Sequence, residues 1–241
     1  MKKIIIPFVL ILTTALFVSC KDDDQTTEKT ILPKAIAGTG DAINFSYNAQ
    51  KQLTKIEQSD AETLFTYDAE GKLTKFVNIY ANENGQETES FQVQYQSDTQ
   101  VRIVDEDSEY TTLTLNDKGQ LLSSNADGNI TQFSYDAKGN VVRIEDGSET
   151  VTAAYNNHKG IFSGIKSPQW MLFLSDFDLQ YFAVNNPTNV SIISTEGEET
   201  ESYSEVYTYP AEHVISGYPT RMSVKYNDNG STYSEVYNIN Y

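Results

Sequence analysis

Apolar and polar positions alternate with a period of two along most of the chain beyond residue 40. Phe45-Ser46-Tyr47, Phe65-Thr66-Tyr67, Leu113-Thr114-Leu115 and Phe133-Ser134-Tyr135 each set two large side chains on one face and a small hydroxyl on the other, the signature of a strand with one buried face. A polar tetrad follows each triplet, for example Asp68-Ala69-Glu70-Gly71 and Asp136-Ala137-Lys138-Gly139, and an apolar residue (Leu53, Leu73, Leu121, Val141) resumes the pattern. Asp bonds the backbone ahead of it and Gly tolerates positive φ, so each tetrad reads as a tight turn. Asp127-Gly128 and Asp146-Gly147 supply a second hairpin signal about ten residues later. Positions 47, 67, 95, 115, 135 and 155 stand 20 apart with one gap of 28. Two turns per period mean two strands per repeat. The pattern predicts an all-β protein: an antiparallel meander of short hairpin repeats of period 20, curled or barrel-like, with one short apolar helix packed on or in it. The extra residues near Asn82–Glu87 read as a longer loop.

The helix is predicted where the alternation fails, over 160–188. Ser167-Pro168 offers a capping residue and a proline at the first helical position. Gln169-Trp170-Met171-Leu172-Phe173-Leu174 then has almost no polar face, which predicts a buried helix over about 167–175. Asn185-Asn186-Pro187 ends this insert, and strands resume at Val190–Ser194, Tyr203–Tyr209, Thr220–Tyr226 and Thr232–Tyr241. Two arrangements fit. The sheet curls and the insert plugs it with Trp170, Met171, Phe173 and Leu174, or the sheet stays open with the helix on one side. Twisted sheets of more than about ten strands rarely stay open, which favours curling.

The N-terminus has its own logic. Lys2 and Lys3 precede an apolar run from Ile4 to Val18, too short for a comfortable membrane span and typical of a signal peptide. Leu16-Phe17-Val18-Ser19-Cys20 resembles the lipobox of bacterial lipoproteins. The resemblance implies cleavage before Cys20, the only cysteine, and acylation of its thiol and amine with fatty chains such as palmitate. The alternative is an ordinary free thiol after a cleaved signal. Lys21-Asp22-Asp23-Asp24 is similar to the surface-export signal of Bacteroidota lipoproteins, and the same charges suit a solvated tether. The expected organisation is a signal peptide over 1–19, an acidic flexible tether over 20–40 and a single β-repeat domain over 41–241.

Tyr67-Asp68-Ala69-Glu70-Gly71-Lys72-Leu73 and Tyr135-Asp136-Ala137-Lys138-Gly139-Asn140-Val141 resemble the YD repeats of RHS-type proteins. Five or six copies cannot enclose a folded payload, so the encapsulating role of RHS shells does not carry over. The whole layout is similar to a family of uncharacterised Bacteroidota surface lipoproteins with a porin-like β fold, which offers no catalytic residues to transfer. Tyr237-Asn238-Ile239-Asn240-Tyr241 also weakly resembles the last strand of outer-membrane barrels, but the expected strands fall short of the ~9–11 residues that spanning requires.

Composition narrows the function. Asp and Glu number 34 against 17 Lys and Arg, a net charge of −17, which repels nucleic acid and excludes it as a partner. Sixteen Tyr and 11 Phe suit sheets. His158 and His213 have no Cys or His at metal-binding spacing, and no nucleophile-elbow motif is present. No catalytic residue, metal ligand or cofactor is expected. Asn125–Asn129 and Asn227–Ser231 look like fragments of calcium loops but lack the closing glutamate, and they also read as hairpin turns. Tyr203, Tyr207, Tyr209 and Tyr226, with Trp170, are the candidate ligand-binding residues. Tyrosine faces stack on sugars, and the same residues read as a cross-strand ladder. The expectation is a lipid-anchored, non-enzymatic binding or interaction protein on the outer membrane facing outward. Its partners are the membrane, through the anchor, and a glycan or an envelope protein. A glycan-capturing accessory lipoprotein and a hydrolase with dispersed residues are the rivals.

Overall fold

The computed structural model describes residues 30–40, 42–83, 85–174, 178–197 and 199–241. Cys20, Lys21, Asp22, Asp23 and Asp24 lie outside the described residues. Eighteen strands follow in order: β1 (Ala35–Ala37), β2 (Ala42–Tyr47), β3 (Leu53–Glu57), β4 (Ala61–Tyr67), β5 (Leu73–Asn82), β6 (Gly85–Ser97), β7 (Gln100–Val104), β8 (Tyr110–Leu115), β9 (Leu121–Ala126), β10 (Asn129–Tyr135), β11 (Val141–Asp146), β12 (Glu149–Lys159), β13 (Asn185–Glu196), β14 (Glu199–Thr208), β15 (Val214–Ile215), β16 (Tyr218–Pro219), β17 (Arg221–Asp228) and β18 (Ser231–Asn240). Sixteen of them form one closed antiparallel barrel, and β15–β16 make a separate small hairpin between β14 and β17. Closure runs through β1, which pairs with β18 on one side and β2 on the other. The barrel therefore begins at Ala35, inside the stretch expected as tether.

The repeat motif explains the curvature. In six copies the pairing shifts register at the repeat tyrosine or its equivalent: at Tyr47, Tyr67, Tyr95, Leu115, Tyr135 and Tyr155. A bulge at the same place in each hairpin adds twist and bends the sheet the same way every time. The tyrosine hydroxyls then lock neighbouring repeats. Tyr67, Tyr135 and Tyr155 each donate to the carbonyl 14 residues earlier, on Leu53, Leu121 and Val141, at 2.7–2.8 Å. The tetrad residue Asp68 or Asp136 accepts from two backbone amides ahead of it, and Asn48 and Asn116 do the same in their copies. Gly71, Gly119 and Gly139 take positive φ. At the first copy Lys51 adopts φ 64° in the glycine's place.

The insert between β12 and β13 closes one end. Ile161, Phe162, Trp170, Met171, Leu172, Leu179, Tyr181 and Phe182 are buried there. Phe162 meets Phe45 edge-on at 5.0 Å, Phe173 meets Phe133 at 4.8 Å and Phe182 meets Tyr207 at 5.7 Å, so the insert touches opposite walls and sits within the barrel. Its helical parts are 3₁₀ turns, Gln169–Leu174 and Leu179–Phe182, shorter than the expected 167–175 helix. Ser167 does not supply the expected cap for that helix. Its hydroxyl accepts from the Leu53 amide and bonds the Tyr67 hydroxyl, both at 2.8 Å, which fixes the insert to the wall rather than to its own turn.

Three further expectations are corrected. The extra residues near 82–87 lengthen β5 and β6, whose pairing runs to Asn82↔Gly85, because alternating apolar residues continue through Ile79. The strand expected from Val190 starts at Asn185, and Pro187 is accommodated at an irregular stretch of its pairing with β12. The strand expected from Thr220 starts at Arg221, and Tyr218-Pro219 pairs instead in the small β15–β16 hairpin.

The register assigns each side chain a direction. Inward positions in the half nearest the insert are apolar: Phe45, Phe65, Phe76, Val93, Val101, Leu113, Phe133, Val151, Val190 and Val224 are all buried. Outward positions are mainly Ser, Thr, Asn, Gln and charged residues, as in Ser223, Lys225 and Asn227 on β17 or Thr200, Ser202 and Ser204 on β14. A membrane-spanning barrel shows lipid the reverse arrangement, an apolar band outside and a polar lumen. Several strands exceed the length expected from the repeats, so it is this outward polarity, and not strand length, that argues against a bilayer around the wall.

Removing single repeat locks should cost stability without changing the fold. Tyr135→Phe and Tyr155→Phe should each lose about 1 kcal/mol, the usual net worth of one hydrogen bond, read as a lower urea midpoint. A second check concerns pH. Burial opposes ionisation of Asp136, but hydrogen bonds from Asn140, Lys138 and Gly139 outweigh it and hold the carboxyl below its ordinary value of 3.8. Because the folded value is the lower one, this contribution is complete above pH 3.8 and fades as pH falls through the folded value. Asp136→Asn should therefore show a smaller stability difference between neutral and acidic solution than the parent.

Candidate functional site

The two ends of the barrel differ in charge. The connections β3–β4, β5–β6, β7–β8, β9–β10, β11–β12, β13–β14 and β17–β18 all lie at the end away from the insert. Each carries Asp or Glu or is flanked by one at a strand end, and none carries Lys, Arg or His. The opposite end holds Lys51, Lys72, Lys118, Lys138, Lys159 and Lys166 at its turns. The open end forms a vestibule. Inward positions there include Glu89 on β6, Glu149 on β12, Glu201 on β14 and Glu235 on β18. A cleft of about 510 Å³ opens between the β7–β8 and β9–β10 connections, with Phe91 and Ile103 among its lining.

One wall of the vestibule is built by a duplicated segment. Tyr203-Ser204-Glu205-Val206-Tyr207 on β14 and Tyr233-Ser234-Glu235-Val236-Tyr237 on β18 are identical. They flank β17, where Tyr226 stands opposite Glu205 on one side and Tyr233 on the other. Period-two geometry points both tyrosines and the glutamate of each copy inward. Tyr226 stacks on Tyr233 at 4.7 Å and lies 6.4 Å from Tyr203, so an aromatic row crosses three strands. Tyr233 is 54% exposed and its face is open.

Hydroxyl groups of the row and its neighbours are spent on the two carboxylates. Tyr203 donates to Glu205 Oε1 at 2.8 Å and Tyr207 donates to Glu205 Oε2. Tyr237 donates to Glu235 Oε2, and the Tyr226 and Tyr237 hydroxyls meet at 2.8 Å. Glu205 is only 8% exposed, and no ion pair reaches Glu205 or Glu235 among the described residues. Asp178, at the start of the second 3₁₀ turn, adds to the negative field. Burial and the Glu205 charge push its carboxyl up. Burial also raises the Tyr203, Tyr207 and Tyr237 hydroxyls, and their glutamate partners raise them further.

The structure gathers Tyr203, Tyr207 and Tyr226 at this wall and leaves the other two candidates elsewhere. Tyr209 lies in the floor, with a buried hydroxyl that has no partner among the described residues. Trp170 is buried in the insert beside Phe173 and Tyr135. The ladder and the site are thus the same residues, since stacked rings across β17 and β18 also present a face to the vestibule. Sequence reasoning missed Glu205 and Glu235. The repeated Tyr-Ser-Glu-Val-Tyr segment was the available signal, because alternation places all three functional groups on one face. Asn125–Asn129 and Asn227–Ser231 form hairpin turns, with Asp127 and Gly128 at φ 55° and 90° and Asn229 and Gly230 at 44° and 89°. His158 lies at the end of β12 and His213 in the β14–β15 connection, both at the plugged end.

The repeat is matched by a known family. Residues 116–151, from the turn before β9 into β12, match the RHS Repeat family model. The chain is similar in structure to a porin-like protein from Bacteroides uniformis, with 17% identity, 88% of this chain and 98% of that one covered, and a TM-score of 0.39. A porin-like protein from Bacteroides vulgatus gives 13% identity, coverage of 88% and 99%, and a TM-score of 0.38. No curated protein matches the sequence.

The wall makes a prediction about alkali. Tyrosines held above their ordinary value of 10.0 favour the folded state fully below pH 10, and that contribution is lost as pH rises beyond it. Tyrosinate absorbance should lag behind that of free tyrosine and then rise cooperatively with loss of β-sheet circular dichroism. Independent ionisation of most tyrosines near pH 10 in the folded protein would contradict the described burial.

Proposed function

We propose that this chain is a non-enzymatic, lipid-anchored protein of the cell envelope whose open barrel end binds a ligand. The observation that carries the reading is the barrel's polarity: an apolar core, a polar outer wall and one end filled. Such a wall has no surface suited to acyl chains, so residence at a membrane requires a separate anchor. Cys20 is the residue fitted to that task, and two or more acyl chains would hold the protein stably. The direction of the tether follows from the fold. Thr30 and Ile31 pack against Gly164 of the insert, and the Lys34 amide donates to the Asn240 carbonyl at 2.6 Å. The chain thus enters the barrel at its plugged end. An anchor upstream sets that end, with its lysines, toward the lipid surface and turns the acidic vestibule away from it, outward if the protein faces the cell exterior.

The vestibule's chemistry is that of recognition. It offers carboxylate acceptors and aromatic faces, while the two histidines lie at the opposite end. Binding without turnover is the function these groups support.

Metabolic labelling of the native host with a clickable fatty acid tests the anchor. The wild-type chain should be labelled and should sediment with membranes, and Cys20→Ala should be unlabelled and released. A wild-type chain recovered unlabelled from the soluble fraction would remove the proposal.

A further inference from the structure

We propose that the Tyr203–Tyr226–Tyr233 row, with Glu205 and Glu235, is a binding site for a small organic cation bearing an alkylated ammonium group. The inference deepens the reading of the vestibule as a binding end and rests on it. Three independent features converge. First, Glu205 is more than nine-tenths buried and has no cationic partner among the described residues. Buried carboxylates are ordinarily matched by a positive charge. Second, the stacked pair Tyr226–Tyr233 presents an open ring face, and the quadrupole of such a face attracts an ammonium group. Third, every hairpin end around the wall holds or adjoins an acid and none holds a base, and a concave, single-sign surface focuses its field and concentrates counter-ions.

The donor count separates a cation from a neutral sugar. Tyr203, Tyr207 and Tyr237 all have their hydroxyl protons directed at Glu205 or Glu235. Tyr226 is engaged with Tyr237. Four of the wall's five tyrosine hydroxyls are therefore committed, which leaves Tyr233 as the one tyrosine donor beside two carboxylates, whereas a sugar presents several oxygens that require donors as well as hydroxyls that require acceptors. Geometry likewise argues against a metal ion. Calcium takes six to eight oxygen ligands, and among the described residues no group of three or more candidate ligands converges. An alkylated ammonium needs only a ring face and a nearby negative charge, and both are present. The duplicated segment places one such carboxylate on each side of β17, so Glu205 and Glu235 bracket the ring row.

The experiment uses the full-length protein in a non-ionic detergent. Choline is titrated against it, with 3,3-dimethylbutan-1-ol, the neutral isostere in which carbon replaces nitrogen, as the control. Saturation-transfer NMR on the ligand and tyrosine fluorescence report binding. Choline should saturate one site, the isostere should bind at least about tenfold more weakly, and added salt should weaken choline further. Tyr233→Ala and Glu235→Gln alter partly or largely exposed side chains and should each weaken choline about fivefold. Equal binding of the isostere, failure of choline to saturate, or unchanged choline affinity in both variants would overturn the proposal. So would saturation by a neutral hexose that Tyr233→Ala abolishes, which would instead support a glycan site. A chain that carries lipid on Cys20 yet ignores choline sinks this inference and leaves the anchor intact.

Discussion

The hydrogen bond that Tyr67, Tyr135 and Tyr155 each make to a carbonyl 14 residues behind is the interaction on which the rest of this structure depends. It joins one hairpin to the next at the point where the strand bulges, and the bulge itself recurs in all six repeats. A uniform bend applied hairpin after hairpin brings the first strand back to the last, and β1 completes the ring in only three residues. Closure removes the exposed edges that a long meander would otherwise carry. The tetrad serves the same end by a different route. Its Asp or Asn caps the turn and its Gly takes the left-handed conformation, which leaves the tyrosine free to act between repeats.

Closure sets a second constraint. A ring of this size encloses more volume than strand side chains fill, and an apolar lumen open to water would be costly. The insert between β12 and β13 supplies the missing mass. Its aromatics contact opposite walls, and Ser167 ties it to β3 and β4 through Leu53 and Tyr67. Gly160 shows how tight the fit is, since a β-carbon there would collide with the Phe182 carbonyl. Filling one half leaves the other half as an open vestibule, where the inward positions Glu89, Glu149 and Glu201 can be acidic because they stay exposed.

Charge and the chain's point of entry share one axis. Turns at the plugged end carry lysines beside their acids and the chain enters there, while the far hairpin ends hold acid and no base. The acid is concentrated on inward and rim positions that face a common space, which gives the vestibule a field that no scattered set of surface carboxylates would produce. Within it, the duplicated Tyr-Ser-Glu-Val-Tyr strands turn a stabilising ring ladder into a surface with a defined electrostatic preference.

Much of this was legible in the chain itself. Alternation, the 20-residue period and the Asp-x-x-Gly turns determined an antiparallel meander, because side-chain direction and turn conformation are local properties. The loss of alternation at 160–188 determined a buried insert, and Trp170 and Met171 were recognisable as its core. What the tertiary structure decided was where these local pieces meet. Closure over open sheet depended on bulges whose angular effect accumulates across the ring. The seating of the insert depended on Ser167 being claimed by Leu53 and Tyr67, 114 and 100 residues away in the chain. The vestibule wall depended on β17 falling between β14 and β18, which brings Glu205 beside Tyr226 and Tyr226 beside Tyr233. Sequence specifies which face each of these residues takes, but only strand pairing determines which faces share a wall.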